Sequence, residues 1–185
     1  MLESKKIRKL STLALILYMF CLVWVITLKC NMVIPVVESR YFFSKMSLLE
    51  RFSISVSKFA NTTARDFLAN CFLFIHVGVL IPFLKKKNPI ISTALFGFAI
   101  SLGFEVLQII ICIGGFTYID IISNSLGALF GAVIHHFLRK KVTDKQTETA
   151  LIVSIIICVI VISFGLFNTL KHIDIYITKD FGKYI

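Results

Sequence analysis

The sequence predicts an all-α, polytopic membrane protein that forms a single membrane domain over residues 1–185. Hydrophobic residues make up 57% of the 185 positions, charged residues make up 16%, and the mean hydropathy is +0.88. Such a composition leaves too little polar surface to enclose a water-soluble globule. It therefore excludes a disordered chain, a nucleic-acid-binding domain and an ordinary cytosolic enzyme.

Five apolar runs predict about five transmembrane helices, because roughly 20 helical residues cross the ~30 Å of hydrocarbon in a bilayer. These runs are residues 10–28, 67–84, 90–113, 118–138 and 150–167. The first follows four cations within residues 5–9, as a secretory signal would. Its apolar stretch is too long for a signal peptide, and no small-residue cleavage site follows it. We interpret it as a retained signal anchor.

The net charge of +10 comes from short basic clusters between the apolar runs, at residues 5–9, 85–87 and 139–145. Clusters of this kind indicate topology and contact with anionic lipid headgroups, with no nucleic-acid partner. The turn at residues 114–117 carries no cation, so the positive-inside rule predicts the N-terminus in the cytoplasm and the C-terminus outside. The segment 29–65 is then predicted outside despite six cations, because long loops contribute less to orientation.

Part of the segment between the first two spans has an amphipathic pattern. On a helix, one apolar face would carry Leu48, Leu49, Phe52, Val56 and Phe59, with Arg51, Ser55 and Lys58 off that face. Such a helix would lie flat in the outer headgroup layer. The alternation of Phe52, Ile54 and Val56 fits a short strand equally well, so both conformations stay open.

The cysteines and histidines predict no metal or cofactor site. The five cysteines include no CxxC, and four lie within apolar runs, so we interpret them as packing residues and disfavour a disulfide between Cys30 and Cys112. His135 and His136 are adjacent, point about 100° apart on a helix and are interpreted as interfacial. His76, near the centre of the second run, is interpreted as a neutral, hydrogen-bonded histidine.

Seven polar side chains occupy positions that a membrane span normally fills with apolar residues. They are Asp66 immediately before the second run and Asn70 within it, Ser101, Glu105 and Gln108 in the third, and Asp120 and Asn124 in the fourth. A carboxylate at the bilayer centre costs about 2.5–3.5 kcal/mol on insertion scales. Glu105 and Asp120 together therefore favour a functional role, because contacts that only join helices do not require acids. The amides alone favour hydrogen bonds between helices.

The spacing of these residues predicts that they meet. The residues form three pairs, one in each run: Asp66 with Asn70, Glu105 with Gln108, and Asp120 with Asn124. The two members of each pair are three or four positions apart and therefore share one helix face, and Ser101 lies one turn before Glu105 on the same face. With the predicted topology, Glu105 lies about 12 Å below the outer end of its span and Asn124 about 9 Å below the start of its own. All of these groups then fall in the outer half of the bilayer. Gly127 and Gly131 form a GxxxG motif that predicts close packing of the fourth span on the second or third.

Three motifs in this region resemble the VanZ-like family of small bacterial membrane proteins. Residues 70–78 (NCFLFIHVG), 101–108 (SLGFEVLQ) and 120–127 (DIISNSLG) are similar to the family patterns N-x-x-x-F-x-P-x-G, S-x-x-x-E-x-x-Q and D-x-x-x-N-x-x-G. They occur in the family's order on successive spans. The resemblance covers a core of three spans at residues 66–138, about two-fifths of the chain.

The chain departs from the family pattern at four positions. His76 stands where the family usually has proline, and Gly114, Thr117 and Ile119 occupy the region where it often has an arginine and a further aspartate. If that arginine normally pairs with one of the acids, compensation must come from another residue, and Arg65 is the candidate.

The resemblance implies a multi-pass protein of the bacterial cell membrane that is associated with reduced susceptibility to teicoplanin. Our leading hypothesis is an outer-leaflet polar pocket for a lipid-linked envelope precursor or a lipophilic glycopeptide. Its predicted residues are Asn70, Ser101, Glu105, Gln108, Asp120 and Asn124. The alternative is an enzyme acting on a lipid headgroup, with Glu105 and Asp120 as acid and base. A transporter ranks third, because no internal repeat is visible.

Overall fold

The computed structural model describes residues 5–27, 45–47, 49–50, 63–84, 89–110 and 116–180. Its main elements are α1 (Lys5–Leu22, continued by a π-helical turn, Val23–Thr27), α2 (Ala64–Leu80, continued by a 3₁₀ turn, Ile81–Leu84), α3 (Pro89–Ile110), α4 (Tyr118–Leu138) and α5 (Asp144–Asp180). The described residues contain no strand. All five helices are long and apolar enough to cross a membrane, which confirms the predicted all-α, multi-pass architecture.

Capping residues extend two of the helices beyond the apolar runs. α2 begins at Ala64 because Thr63 and Asp66 form a capping box, in which the Thr63 hydroxyl accepts from the Asp66 N–H at 3.2 Å. Thr143 and Gln146 make the same exchange ahead of α5, with the Gln146 N–H donating to the Thr143 hydroxyl at 3.3 Å. The predicted last span, 150–167, was therefore too short. At 37 residues α5 is about 55 Å long, more than one bilayer crossing.

Glycines let α2 and α4 approach each other at backbone distance. A Cβ atom at Gly131 would lie 2.7 Å from the Cα atom of Gly78, and one at Gly127 would lie 2.9 Å from the carbonyl carbon of Cys71. Both distances are shorter than real Cβ contacts, so any side chain there would separate the helices. We call Gly78, Gly127 and Gly131 the glycine interface. It confirms the predicted role of the GxxxG motif and identifies α2 as its partner.

The other helices pack around this pair. α3 approaches α4 where Gly97 faces Ala128. α1 lies against α2 through two hydrogen bonds, from the Ser11 hydroxyl to the Leu80 carbonyl at 3.0 Å and from the Tyr18 hydroxyl to the Leu73 carbonyl at 2.7 Å. α5 packs on α1 and contributes Leu151 to a buried apolar cluster that also contains Ile7 and Phe83.

The outer surface of the bundle is apolar. Large exposed side chains include Phe72 at 79%, Phe98 at 47%, Ile160 at 60% and Phe164 at 65% of their full exposure. A water-soluble domain would not leave such a surface uncovered, whereas lipid tails solvate it. The described part of the fold thus agrees with the composition of the chain.

The two ends of the bundle differ in chemistry. Where α2 and α4 begin and α3 ends, polar side chains lie between the helices, and we call this the polar end. The opposite end carries the cations of residues 5–9 and 139–145, and we call it the basic end. Which end faces the cytoplasm stays a prediction from the positive-inside rule. Of the proposed amphipathic face between the first two spans, only Leu49 is described, and it is exposed; the rest lies outside the described residues, as do Cys30 and Cys112.

Candidate functional site: a buried polar cluster

At the polar end, a hydrogen bond between side chains joins α2 to α4. The amide nitrogen of Asn70 donates to a carboxylate oxygen of Asp120 at 2.8 Å, and both side chains are half-buried. The sequence placed both residues within about one turn of the start of their helices. Their contact confirms that the two helices present these groups at the same level.

The second link joins α3 to α4. The amide nitrogen of Asn124 donates to the Ser101 hydroxyl at 2.8 Å, and both residues are buried. The Ser101 hydroxyl in turn lies 3.4 Å from the backbone carbonyl of Asp120, and the Ser123 hydroxyl donates to that same carbonyl at 3.1 Å. The motifs of the second, third and fourth spans therefore meet in one place.

Glu105 is the most deeply buried acid of this cluster, with 2% of its surface exposed. One carboxylate oxygen accepts the backbone N–H of Thr117 at 2.6 Å. Thr117 is the N-cap residue of α4, and its own side chain makes no capping hydrogen bond. Glu105 therefore supplies an acceptor at the N-terminus of α4, where N–H groups lack helical partners and negative charge is stabilised.

The hydrogen bond between Glu105 and Thr117 explains how the buried acid is stabilised at a place where the chain departs from the family pattern. Thr117 lies in the region where the family often has charged residues, yet its backbone N–H, together with the N-terminus of α4, stabilises the buried acid. Arg65 does not take that role: it is exposed on the first turn of α2 and forms no salt bridge with Glu105 or Asp120, all three being described residues.

The cluster contains an acceptor atom that no described residue satisfies. The side-chain oxygen of Asn124 is buried and makes no hydrogen bond within the described part of the chain. Such groups are rare in folded proteins and mark either a bound molecule or an energetic cost. Gln108, the remaining predicted site residue, is half-buried in α3, three positions beyond Glu105.

Residues outside the predicted set also contribute to the cluster. The Cys71 thiol donates to the Ser123 carbonyl at 3.1 Å, so these two residues link α2 and α4 beside the Asn70–Asp120 bond. Neither was predicted, because a cysteine and a serine in an apolar helix have a packing interpretation by default. Asp66, which the sequence paired with Asn70, instead serves the capping box of α2.

The histidines lie away from this cluster. His76 shares a 2.8 Å hydrogen bond with the Ser154 hydroxyl, which confirms that it is hydrogen-bonded, and its ring packs against Tyr18. His135 is half-buried and donates to the Val79 carbonyl at 3.0 Å, whereas His136 is exposed. The position of both histidines in the last turn of α4 is compatible with the membrane interface, and that placement stays a prediction. Among the described residues no group of three potential metal ligands comes together.

The chain is similar in sequence to known proteins. The model of the VanZ/LLP1 family matches residues 15–139, which is more than half of the chain and includes the last part of α1 together with α2, α3 and α4. The chain is 25% identical to Protein VanZ of Enterococcus faecium over 152 residues, covering 81% of this chain and 89% of that protein. No solved structure matches it. By the extent of the family match, the chain belongs to the VanZ/LLP1 family.

Proposed function

We propose that this protein binds a lipid-linked or lipophilic ligand at the polar cluster, in the outer leaflet of the bacterial cell membrane, and thereby reduces susceptibility to teicoplanin. The observation that carries the proposal is the burial of Glu105, at 2% exposure, inside a bundle whose outer surface is apolar. Ionisable groups in such a place are costly and are characteristic of functional sites in membrane proteins.

The arrangement of acceptors supports a particular ligand chemistry. Glu105, Asp120 and the unsatisfied oxygen of Asn124 all present oxygen acceptors at the polar end. A complementary ligand would supply N–H or O–H donors, as the hydroxyl or amine groups of an envelope precursor or a lipophilic glycopeptide do. Its apolar part would stay in the lipid beside the bundle. The carboxylates would contribute charge-assisted hydrogen bonds, which are the stronger kind.

Teicoplanin susceptibility of cells that express the protein is the direct test. We expect the Glu105→Gln and Asp120→Asn variants to lose the resistance of the wild type, because each keeps its volume but loses its charge. Asp144→Asn is the matched control, since it makes the same change at the basic end. Immunoblots and size-exclusion profiles establish that all variants are present and folded.

Two results would change the proposal. Wild-type resistance in well-folded Glu105→Gln and Asp120→Asn proteins would refute it. The enzyme hypothesis would instead be favoured if purified wild-type protein converts a polyprenyl or phospholipid substrate and the Glu105→Gln variant does not. Glu105 and Asp120 would then act as the general acid and base. Mass spectrometry of lipids that co-purify with wild type and with Glu105→Gln would identify the ligand by its loss.

A further inference from the structure

A second feature of the fold lies near the basic end, away from the polar cluster. A cavity of about 200 Å³ opens between the second half of α2, the end of α4 and the first part of α5. Its walls are largely apolar and include Leu80, Phe83 and Leu151, while the exposed Leu138 and Ala150 border it on the outside. A space of this size would hold several waters. The polar side chains that also line it, including His76 and His135, already make hydrogen bonds within the protein, so water finds few partners there.

The cavity has the length of one lipid leaflet. It extends along α5 from the turn at Val142 to Ser154, ten residues beyond the start of the helix at Asp144. Ten residues of helix rise about 15 Å, which is half of the ~30 Å hydrocarbon thickness of a bilayer. An acyl chain of the adjacent leaflet would therefore span the cavity from its headgroup to the bilayer centre.

The charge beside the cavity is positive. In the turn between α4 and α5, Arg139 donates to Asp144 at 2.7 Å, so these two charges compensate each other. Lys140, Lys141 and Lys145 are exposed and form no salt bridge with any residue the structure describes. These lysines neighbour the lining residues Arg139 and Val142 along the chain, and three cations at that level are complementary to an anionic headgroup on an acyl chain.

We propose that this cavity is a binding site for an anionic phospholipid from the leaflet at the basic end. One acyl chain occupies the cavity between α2, α4 and α5, and the phosphate lies against Lys140, Lys141 and Lys145. The lipid thereby fills a gap that α5 leaves in the bundle. This site is separate from the polar cluster and does not depend on the function proposed for it.

Native mass spectrometry of the full chain, released from bilayers of equal phosphatidylglycerol and phosphatidylcholine, tests the proposal. We expect the wild type to retain phosphatidylglycerol with about tenfold preference, since each lysine near the surface strengthens the attraction. The Lys140→Gln/Lys141→Gln/Lys145→Gln variant should lose this preference. The matched control Lys5→Gln/Arg8→Gln/Lys9→Gln removes three cations from the same end and should keep it.

Variants that fill the cavity distinguish a lipid bound inside it from lipids attracted to the charged surface in general. Ala150→Trp should abolish retention although all lysines remain, whereas Val153→Trp, at an exposed position outside the cavity, should retain lipid as the wild type does. Ala150→Leu provides a smaller filling residue if the tryptophan variant does not fold. Equal retention by the Ala150 and Val153 variants, or an equal loss in both charge variants, would overturn the proposal.

Discussion

The glycine interface between α2 and α4 and the attachment of α5 represent two ways of packing a helix in a membrane. At the glycine interface the backbones touch, and no side chain separates them. In α5 only 17% of the most apolar stretch is buried, against 39% in α2 and in α4, and bulky residues cover its surface. Small residues thus give a close contact without a gap, whereas the bulky helix leaves the cavity beside it.

The two regions also differ in where their polar contacts lie. At the polar end, hydrogen bonds from Asn70 and Cys71 cross between α2 and α4 close to the glycine interface, so the buried cluster is held by backbone packing. The polar contacts that α5 makes with its neighbours, such as the His76–Ser154 bond, lie away from the cluster. We therefore expect the cluster to depend strongly on the glycines and only weakly on α5.

The largest expected effect is that of Gly131→Ala. The added Cβ atom would overlap the backbone of Gly78, which cannot rotate away as a side chain could, so the two helices must separate. We expect a loss of about 3 kcal/mol or more in the free energy of unfolding, measured by denaturation in micelles. Gly103→Ala is the control, because a Cβ atom there meets nothing within 4 Å. Equal stability of the two variants would refute this packing.

A smaller effect is expected for the Asn70–Asp120 hydrogen bond. A double-mutant cycle with Asn70→Ala and Asp120→Ala should give a coupling energy of about 1–2 kcal/mol, since one partner is a carboxylate. The same cycle with Asn70→Ala and Asp144→Ala should be additive, because these residues lie at opposite ends. A coupling no larger than in that control would show that the contact contributes little.

In α5 a glycine-to-alanine substitution should have little effect on stability. A Cβ atom at Gly165 would lie 2.8 Å from the indole nitrogen of Trp24, a side chain that can move aside. The gain in helix propensity of about 1 kcal/mol offsets this displacement, so Gly165→Ala should change stability by less than about 1 kcal/mol. Trp24 is the only tryptophan of the chain, so its fluorescence emission should shift in this variant. A destabilisation as large as that of Gly131→Ala would remove the contrast between the regions.

The smallest effect is expected at the surface of the α1–α5 contact. Lys6 and Glu148 form a salt bridge in which the lysine side chain is 66% exposed. Their coupling in a cycle with Lys6→Met and Glu148→Gln should stay below about 1 kcal/mol and decrease as salt is added. A larger, salt-independent coupling would indicate that this contact holds α5 more firmly than its exposure suggests.

Much of the polar cluster could be predicted because its residues are costly in lipid. Asn70, Glu105, Asp120 and Asn124 stood out against apolar neighbours, and helix geometry placed them at a common level. The partners could not be predicted in the same way. That Glu105 binds the N–H of Thr117 depends on how α3 meets the start of α4, which no spacing rule specifies.

The boundaries of α5 show a second limit. Hydropathy detects only the part of a helix that lies in lipid, so the predicted run begins at residue 150 and omits the polar first turns from Asp144. The capping pair Thr143 and Gln146 was visible in the sequence, since such pairs mark helix starts. The cavity beside α5 was invisible, because it is a property of the space between three helices.

The sequence by itself determined the solvent of this protein, the number of its spans and the few polar groups that those spans bury. These follow from transfer energies and helix geometry, which act on each segment separately. Only the tertiary structure decided that GxxxG packs on α2, that Glu105 serves the N-terminus of α4, and that α5 leaves a cavity near the basic end. These three features depend on which helix faces meet. Many pairings of apolar helices bury a similar area, so the small residues at the contact decide which pairing forms.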